Sequence, residues 1–155
     1  MPVFLSHTSI NKPETGRIFS YLTQRGIICY MDAIDPELKS TDDITAVLMN
    51  RIDWCTHMMA VISQYTQGSW WVPFEIGVAS KSERRITTYK LKGPVTLPDF
   101  LTKWPILQDD YDLEQFVRMY KGDQTVSFSE GRATGATIGT AEQFHRSLKN
   151  AIGQR

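Results

Sequence analysis

Apolar and polar positions alternate along the chain in blocks of two kinds. The first kind is short and mostly apolar: Val3-Phe4-Leu5, Ile27 to Met31 and His57 to Ile62, with the more mixed Ile86 to Leu91 as a fourth strand. Such runs suit parallel strands covered on both faces. The second kind is longer, with apolar residues recurring every three or four positions, the spacing of one helical face. Asn11 to Gln24 carries Ile18, Phe19 and Leu22 on one face and stops at Gly26. After a loop from Ala33 to Ser40 containing Pro36, a second helix is predicted with Thr41 as N-cap, Asp42 and Asp43 in its first turn, and Ile44, Val47, Leu48 and Ile52 as its stripe. A third runs to about Ser82, with Trp71, Phe74 and Val78 at helical spacing. Pro73 falls in its first turn, where a missing N–H costs least. Further on, Pro94 to Lys103 is predicted as a loop, Trp104 to Leu107 as a short fifth strand and Leu113 to Tyr120 as a helix. Glu142 to Ile152 is predicted as a final helix, with Phe144, Leu148 and Ile152 at i, i+4 and i+8.

This alternation predicts an α/β fold: a flavodoxin-like, doubly wound parallel five-stranded sheet in the order 2-1-3-4-5, with helices on both faces and an extra C-terminal helix. Strands one and three then flank the switch point, outside whose carboxyl ends ligands bind. Phe4, Ser6, His7 and Glu75 are expected to converge there, with Asp32 at the end of strand two beside them. At 155 residues the chain is long enough for one domain with a proper core. Residues 1–121 are assigned to it. Gly122 to Thr140, rich in Gly, Ser and Thr, is expected to form a flexible excursion before the last helix packs back on the same domain.

Composition narrows the function classes. Seventeen basic residues balance seventeen acidic ones, so no global field points to nucleic acid or a membrane. Cys29 and Cys55 form neither a CxxC nor a ligand cluster and are expected to be reduced, buried thiols. No secretory leader or long apolar span is visible, which predicts a cytoplasmic protein whose partner domains lie on other chains. His57 and His145 have no ligand-spaced companions, so no metal site is expected. His7 is expected to touch a ligand rather than act as a base. Arg84-Arg85 suits a solvated helix end, and Gly77 admits a close approach of helix and strand. Neither a dinucleotide fingerprint, a P-loop nor a Gly-x-Ser-x-Gly elbow is present.

The stretch Ser69-Trp70-Trp71-Val72-Pro73-Phe74-Glu75-Ile76 carries the candidate chemistry. From spacing alone, Glu75 complements a helix dipole from the first turn. The pattern Ser-x-Trp-x-x-x-Glu-Ile after the strand ending Val61-Ile62-Ser63, together with Phe4-Leu5-Ser6-His7-x-Ser9, resembles TIR domains. The resemblance covers Val3 to about Leu91 and thins beyond Leu107. It departs at Val72, where the family often has cysteine, and at Lys39-Ser40-Thr41, where the family loop commonly holds glycine.

In NAD-cleaving members of that family the motif glutamate is catalytic, which implies Glu75 here. The resemblance further implies Phe4, Ser6, His7, Asp32, Ser69 and Trp71 as substrate-binding residues, with NAD as substrate and no separate cofactor. As a free-standing chain, the protein resembles the signalling component of Thoeris antiphage defence. That implies a cyclic ADP-ribose isomer made for a separate effector, self-association on activation and a phage-derived trigger. Two other readings stay open: a non-enzymatic TIR adaptor working through homotypic contacts, and a nucleoside deoxyribosyltransferase-like enzyme.

Overall fold

The computed structural model describes residues 2–31, 41–68, 71–130 and 141–155. Its elements are β1 (Val3–Ser6), α1 (Lys12–Thr23), β2 (Cys29–Met31), α2 (Thr41–Trp54), β3 (His57–Ile62), α3 (Trp71–Lys81), β4 (Arg85–Lys90), β5 (Ile106–Leu107), α4 (Asp110–Glu130) and α5 (Ala141–Ala151), with single 3-10 turns at Ser9–Asn11, Gln64–Gly68 and Asp99–Lys103. The five strands are all parallel and lie in the order β2-β1-β3-β4-β5. This is the predicted sheet.

Alternation along the strands feeds two cores. Val3 and Leu5 join Met59 and Val61 on one face, under Ile18 and Leu22 of α1, Phe116 of α4, and Phe144 and Leu148 of α5. Phe4 joins Met58, Ala60 and Ile62 on the other, under Ile52 of α2 and Val72 and Ile76 of α3. Every residue of β1 and β3 is buried, which is why those runs read as continuously apolar. Gly26, at φ +80°, ends the turn after α1 in the left-handed region open to glycine.

Several expectations are corrected. The helix at Thr41 begins on that residue. The buried residues of α3 include Val72, Glu75, Ile76 and Ala79; of the predicted stripe, Phe74 is 38% exposed and Val78 is only partly buried against the same core. The offset follows from the two-sided apolarity of this segment, where periodicity alone does not pick the inner stripe. Because α3 starts at Trp71, Glu75 lies beyond its first turn. Gly77 falls on the outer face, where an added Cβ would meet open space, so it serves no close approach. Gly77→Ala is therefore expected to stabilise the fold by about 0.5–1 kcal/mol in chemical denaturation; a loss would mean that this face is covered.

The predicted excursion from Gly122 is helical as far as Glu130, continuing α4; residues 131–140 lie outside the described residues. The start of α4 is fixed by Asp109, whose carboxylate accepts from the Asp112 N–H at 2.9 Å, while Asp112 accepts from the Gln108 N–H at 3.0 Å. Its continuation past Gly122 coincides with a buried ion pair. Arg85 belongs to β4, not to a solvated helix end, and its Nε lies 2.5 Å from the Asp123 carboxylate.

Candidate functional site

Parallel pairing sets Ser6, the last residue of β1, beside Ala60 in β3. After β3, α3 returns across the Phe4 face of the sheet, held by Val72 and Ile76. Glu75 shares that inward face. Its side chain consequently enters the protein at the carboxyl edge of the two central strands, where the Ser6 hydroxyl donates to Glu75 Oε2. Glu75 is 4% exposed and Ser6 fully buried. Among the described residues Glu75 pairs with no cation. Burial pushes its carboxyl up to about 7, and the Ser6 hydrogen bond opposes this only in part.

Neither ordinary explanation of a buried acid fits this group. It lies past the turn where a helix dipole acts. Among the described residues it also lacks the ion pair that usually accompanies a buried carboxylate. A strongly perturbed acid at the carboxyl edge of a parallel sheet, with a hydroxyl and no cation beside it among the described residues, makes this the candidate site for chemistry.

The other predicted residues divide into three groups. Phe4 is fully buried and shares a core with Val72 and Ile76 of α3, so it is a packing residue rather than an open wall. His7, 7% exposed, places Nδ1 3.3 Å from the Leu5 carbonyl oxygen. Burial lowers its pKa, the Leu5 contact raises it and Lys12 lowers it, leaving a neutral ring; Nε2 has no partner among the described residues. Trp71 opens α3 one helical turn before Glu75. Asp32 and Ser69 lie outside the described residues.

Two features escaped sequence reading. The first is a groove of about 800 Å³ at the carboxyl ends of β3, β4 and β5, bordered by the start of α1 and of α4. Asn11, Tyr65 and Tyr111 are among its walls. Asn11 is 3% exposed, and its Oδ1 accepts from Thr8 Oγ1 at 3.0 Å and Ser63 Oγ at 2.7 Å. The second lies at the opposite pole. His57 Nε2 faces the Asp123 carboxylate at 3.4 Å, beside Arg85. Phe116, Tyr120 and Phe144 pack around the His57 ring. His145 Nε2 accepts from the Ile86 backbone N–H at 2.8 Å. Burial first, and then the neighbouring Arg85 and other basic groups, push His145 down to about 4, and burial lowers His57 as well, so both histidines are neutral there. Among the described residues no three His, Cys, Asp or Glu side chains gather as metal ligands. Cys29 and Cys55 are free and buried, and burial pushes their thiols up to about 12 and 11. No described helix is long and apolar enough to cross a membrane.

Comparison with known proteins supplies the family. A family model described as TIR domain matches residues 3–124. No curated protein matches the chain. Among solved structures it is similar to the TIR domains in "Structure of the activated Roq1 resistosome directly recognizing the pathogen effector XopQ", at 20% identity and a TM-score of 0.49, over 98% of this chain and 83% of that one.

Proposed function

The chain belongs to the TIR domain family, and from that premise we propose that it cleaves the nicotinamide–ribose bond of NAD, with Glu75 as the catalytic group. The observation that supports this most is the buried carboxylate of Glu75, held by Ser6 and paired with no cation among the described residues. Nicotinamide in oxidised NAD is a cationic ring that leaves as a neutral base, so departure requires no general acid. Positive charge grows on the ribose as the bond breaks. A fixed carboxylate beside that sugar stabilises the oxocarbenium-like state, as in glycoside hydrolysis.

The raised pKa fits this role. An acid without a protein cation is satisfied by the positive charge of the substrate, which favours its ionised form on binding. Ser6 orients the carboxylate, and Trp71 stands one turn away on α3. Capture of the ribosyl cation by water gives ADP-ribose. Capture by a hydroxyl or ring nitrogen of the same molecule gives a cyclic ADP-ribose isomer, the product we favour for an antiphage signal of the Thoeris kind, made on self-association and read by a separate effector.

Purified protein incubated with NAD, at dilute and at high concentration, is expected to release nicotinamide, with mass spectrometry identifying the accompanying product. Folded protein that releases none under either condition would leave the adaptor reading. A finer test uses the pH profile. In the free protein kcat/KM for NAD should rise with pH through about 7, as Glu75 ionises. Ser6→Ala removes a hydrogen bond that favours the carboxylate, so its profile should move to higher pH. An unmoved profile would separate Ser6 from the reaction.

A further inference from the structure

We infer that the groove at the carboxyl ends of β3 to β5 receives the adenosine end of the dinucleotide whose nicotinamide end reaches Glu75; this rests on the NAD-cleavage reading. The two places share one edge of the sheet. Ser6 is aligned with Ala60, and Ser63, on the groove wall, follows three residues later on the neighbouring strand. Pleated-strand spacing puts these two serines about 11 Å apart, a gap for the pyrophosphate and second ribose to cross. The loop after β1 links them physically, since it begins with His7 and ends at Asn11, which Ser63 holds.

The groove has the features of a built nucleoside site. Both acceptor positions of the Asn11 carboxamide oxygen are taken by Thr8 and Ser63. Its amino group has no protein partner among the described residues, so a donor remains on the wall for a base or ribose oxygen. Ser63 also accepts from the Tyr65 backbone N–H at 3.1 Å, and its own N–H donates to Thr66 Oγ1 at 2.9 Å. That network fixes the backbone of Tyr65, whose side chain is half exposed. Tyr111, 64% exposed, stands in the first turn of α4, set by the Asp109 cap. Two tyrosines on fixed backbones offer stacking faces at low entropic cost.

Charge favours the nucleoside over the phosphates. Glu14, Asp109 and Asp110 outnumber Arg17 and Lys92 on the walls. Arg17 is already engaged by Asp110 at 2.9 Å and Tyr89 Oη at 3.2 Å. An acidic lining repels a diphosphate, but it accepts hydrogen bonds from ribose hydroxyls and an exocyclic amine. About 800 Å³ lies within the range of small-molecule sites.

The test titrates adenosine into the full chain and follows backbone amides by NMR, then repeats the titration with Tyr111→Ala and Tyr65→Ala. Saturable shifts at Tyr65, Lys92 and Tyr111 are expected, with about a ten-fold loss of adenosine affinity in each variant. With NAD, the same variants should show KM raised about ten-fold. With nicotinamide mononucleotide, which lacks the adenosine end, KM should stay unchanged. Absence of adenosine shifts overturns the groove assignment whether or not NAD is cleaved. Equal effects on both substrates overturn it as well, since they would make the tyrosines merely structural. Adenosine binding without nicotinamide release from either substrate would instead sink the NAD reading and, with it, the dinucleotide assignment.

Discussion

Glu75→Gln is expected to lower nicotinamide release by roughly 10²–10³-fold while making the protein more stable at pH 8. The two effects have one origin. In the folded chain burial raises the Glu75 carboxyl from 4.5 to about 7. The folded state therefore holds this proton more tightly than the unfolded state does. The stability that the proton contributes is fully present below pH 4.5 and is lost as pH rises through about 7. By pH 8 the loss amounts to roughly 3 kcal/mol, because the native state must carry a buried charge with only Ser6 to support it. Glutamine keeps the shape and an acceptor for Ser6 but carries no charge. The variant should unfold roughly 10 °C higher than wild type at pH 8, and the two should converge near pH 4. Thermal melts across that range, with nicotinamide release on the same samples, measure both halves. A variant that loses stability at pH 8 would make the carboxylate a structural group and remove the support for catalysis.

The same residue shows how far the sequence was legible. Strand–helix alternation made the doubly wound parallel sheet legible, and the flavodoxin-like order 2-1-3-4-5 is the natural arrangement for it, which the structure adopts. Glu75 was found through its motif, while its burial was hidden. The α3 segment is apolar on more than one side, so spacing assigned the inner stripe to Trp71, Phe74 and Val78. Only packing against Phe4 and Met58 shows that Val72, Glu75 and Ile76 turn inward. The groove could not be read at all, since Asn11, Ser63 and Tyr65, and Tyr111 at the start of α4 come from three distant parts of the chain and none is distinctive alone. Likewise, glycine and serine after Tyr120 suggested a loop because helix propensity is local, whereas the contact that overrides it reaches from Asp123 back to β3 and β4.

That contact yields the second large expectation: Asp123→Ala should cost about 3–5 kcal/mol, lower the melting temperature by roughly 10 °C, and leave Glu75 chemistry intact below the transition. Asp123 is 8% exposed at its side chain, Arg85 12% and His57 not at all. Arg85 Nη2 donates to one carboxylate oxygen at 3.2 Å, and Nε lies 2.5 Å from the other as a charge contact without hydrogen-bond geometry. His57, with Nδ1 2.7 Å from Thr56 Oγ1, turns Nε2 toward the same carboxylate. Burial alone would raise the Asp123 carboxyl, but His57 and Arg85 together hold it below its ordinary 3.8. Its contribution is thus present above that value and lost as pH falls below it, so variant and wild type should draw together in acid. Truncation strands the Arg85 charge near His145, already pushed down by burial and then by Arg85 itself. It also releases α4 just after Gly122, where glycine makes the helix about 1 kcal/mol weaker than alanine would. Hydrogen exchange should accordingly quicken from residue 121 onward before it quickens in β1 or β3. Uniform quickening, or a stability loss under about 1 kcal/mol, would show that α4 is held past Tyr120 by something other than this carboxylate.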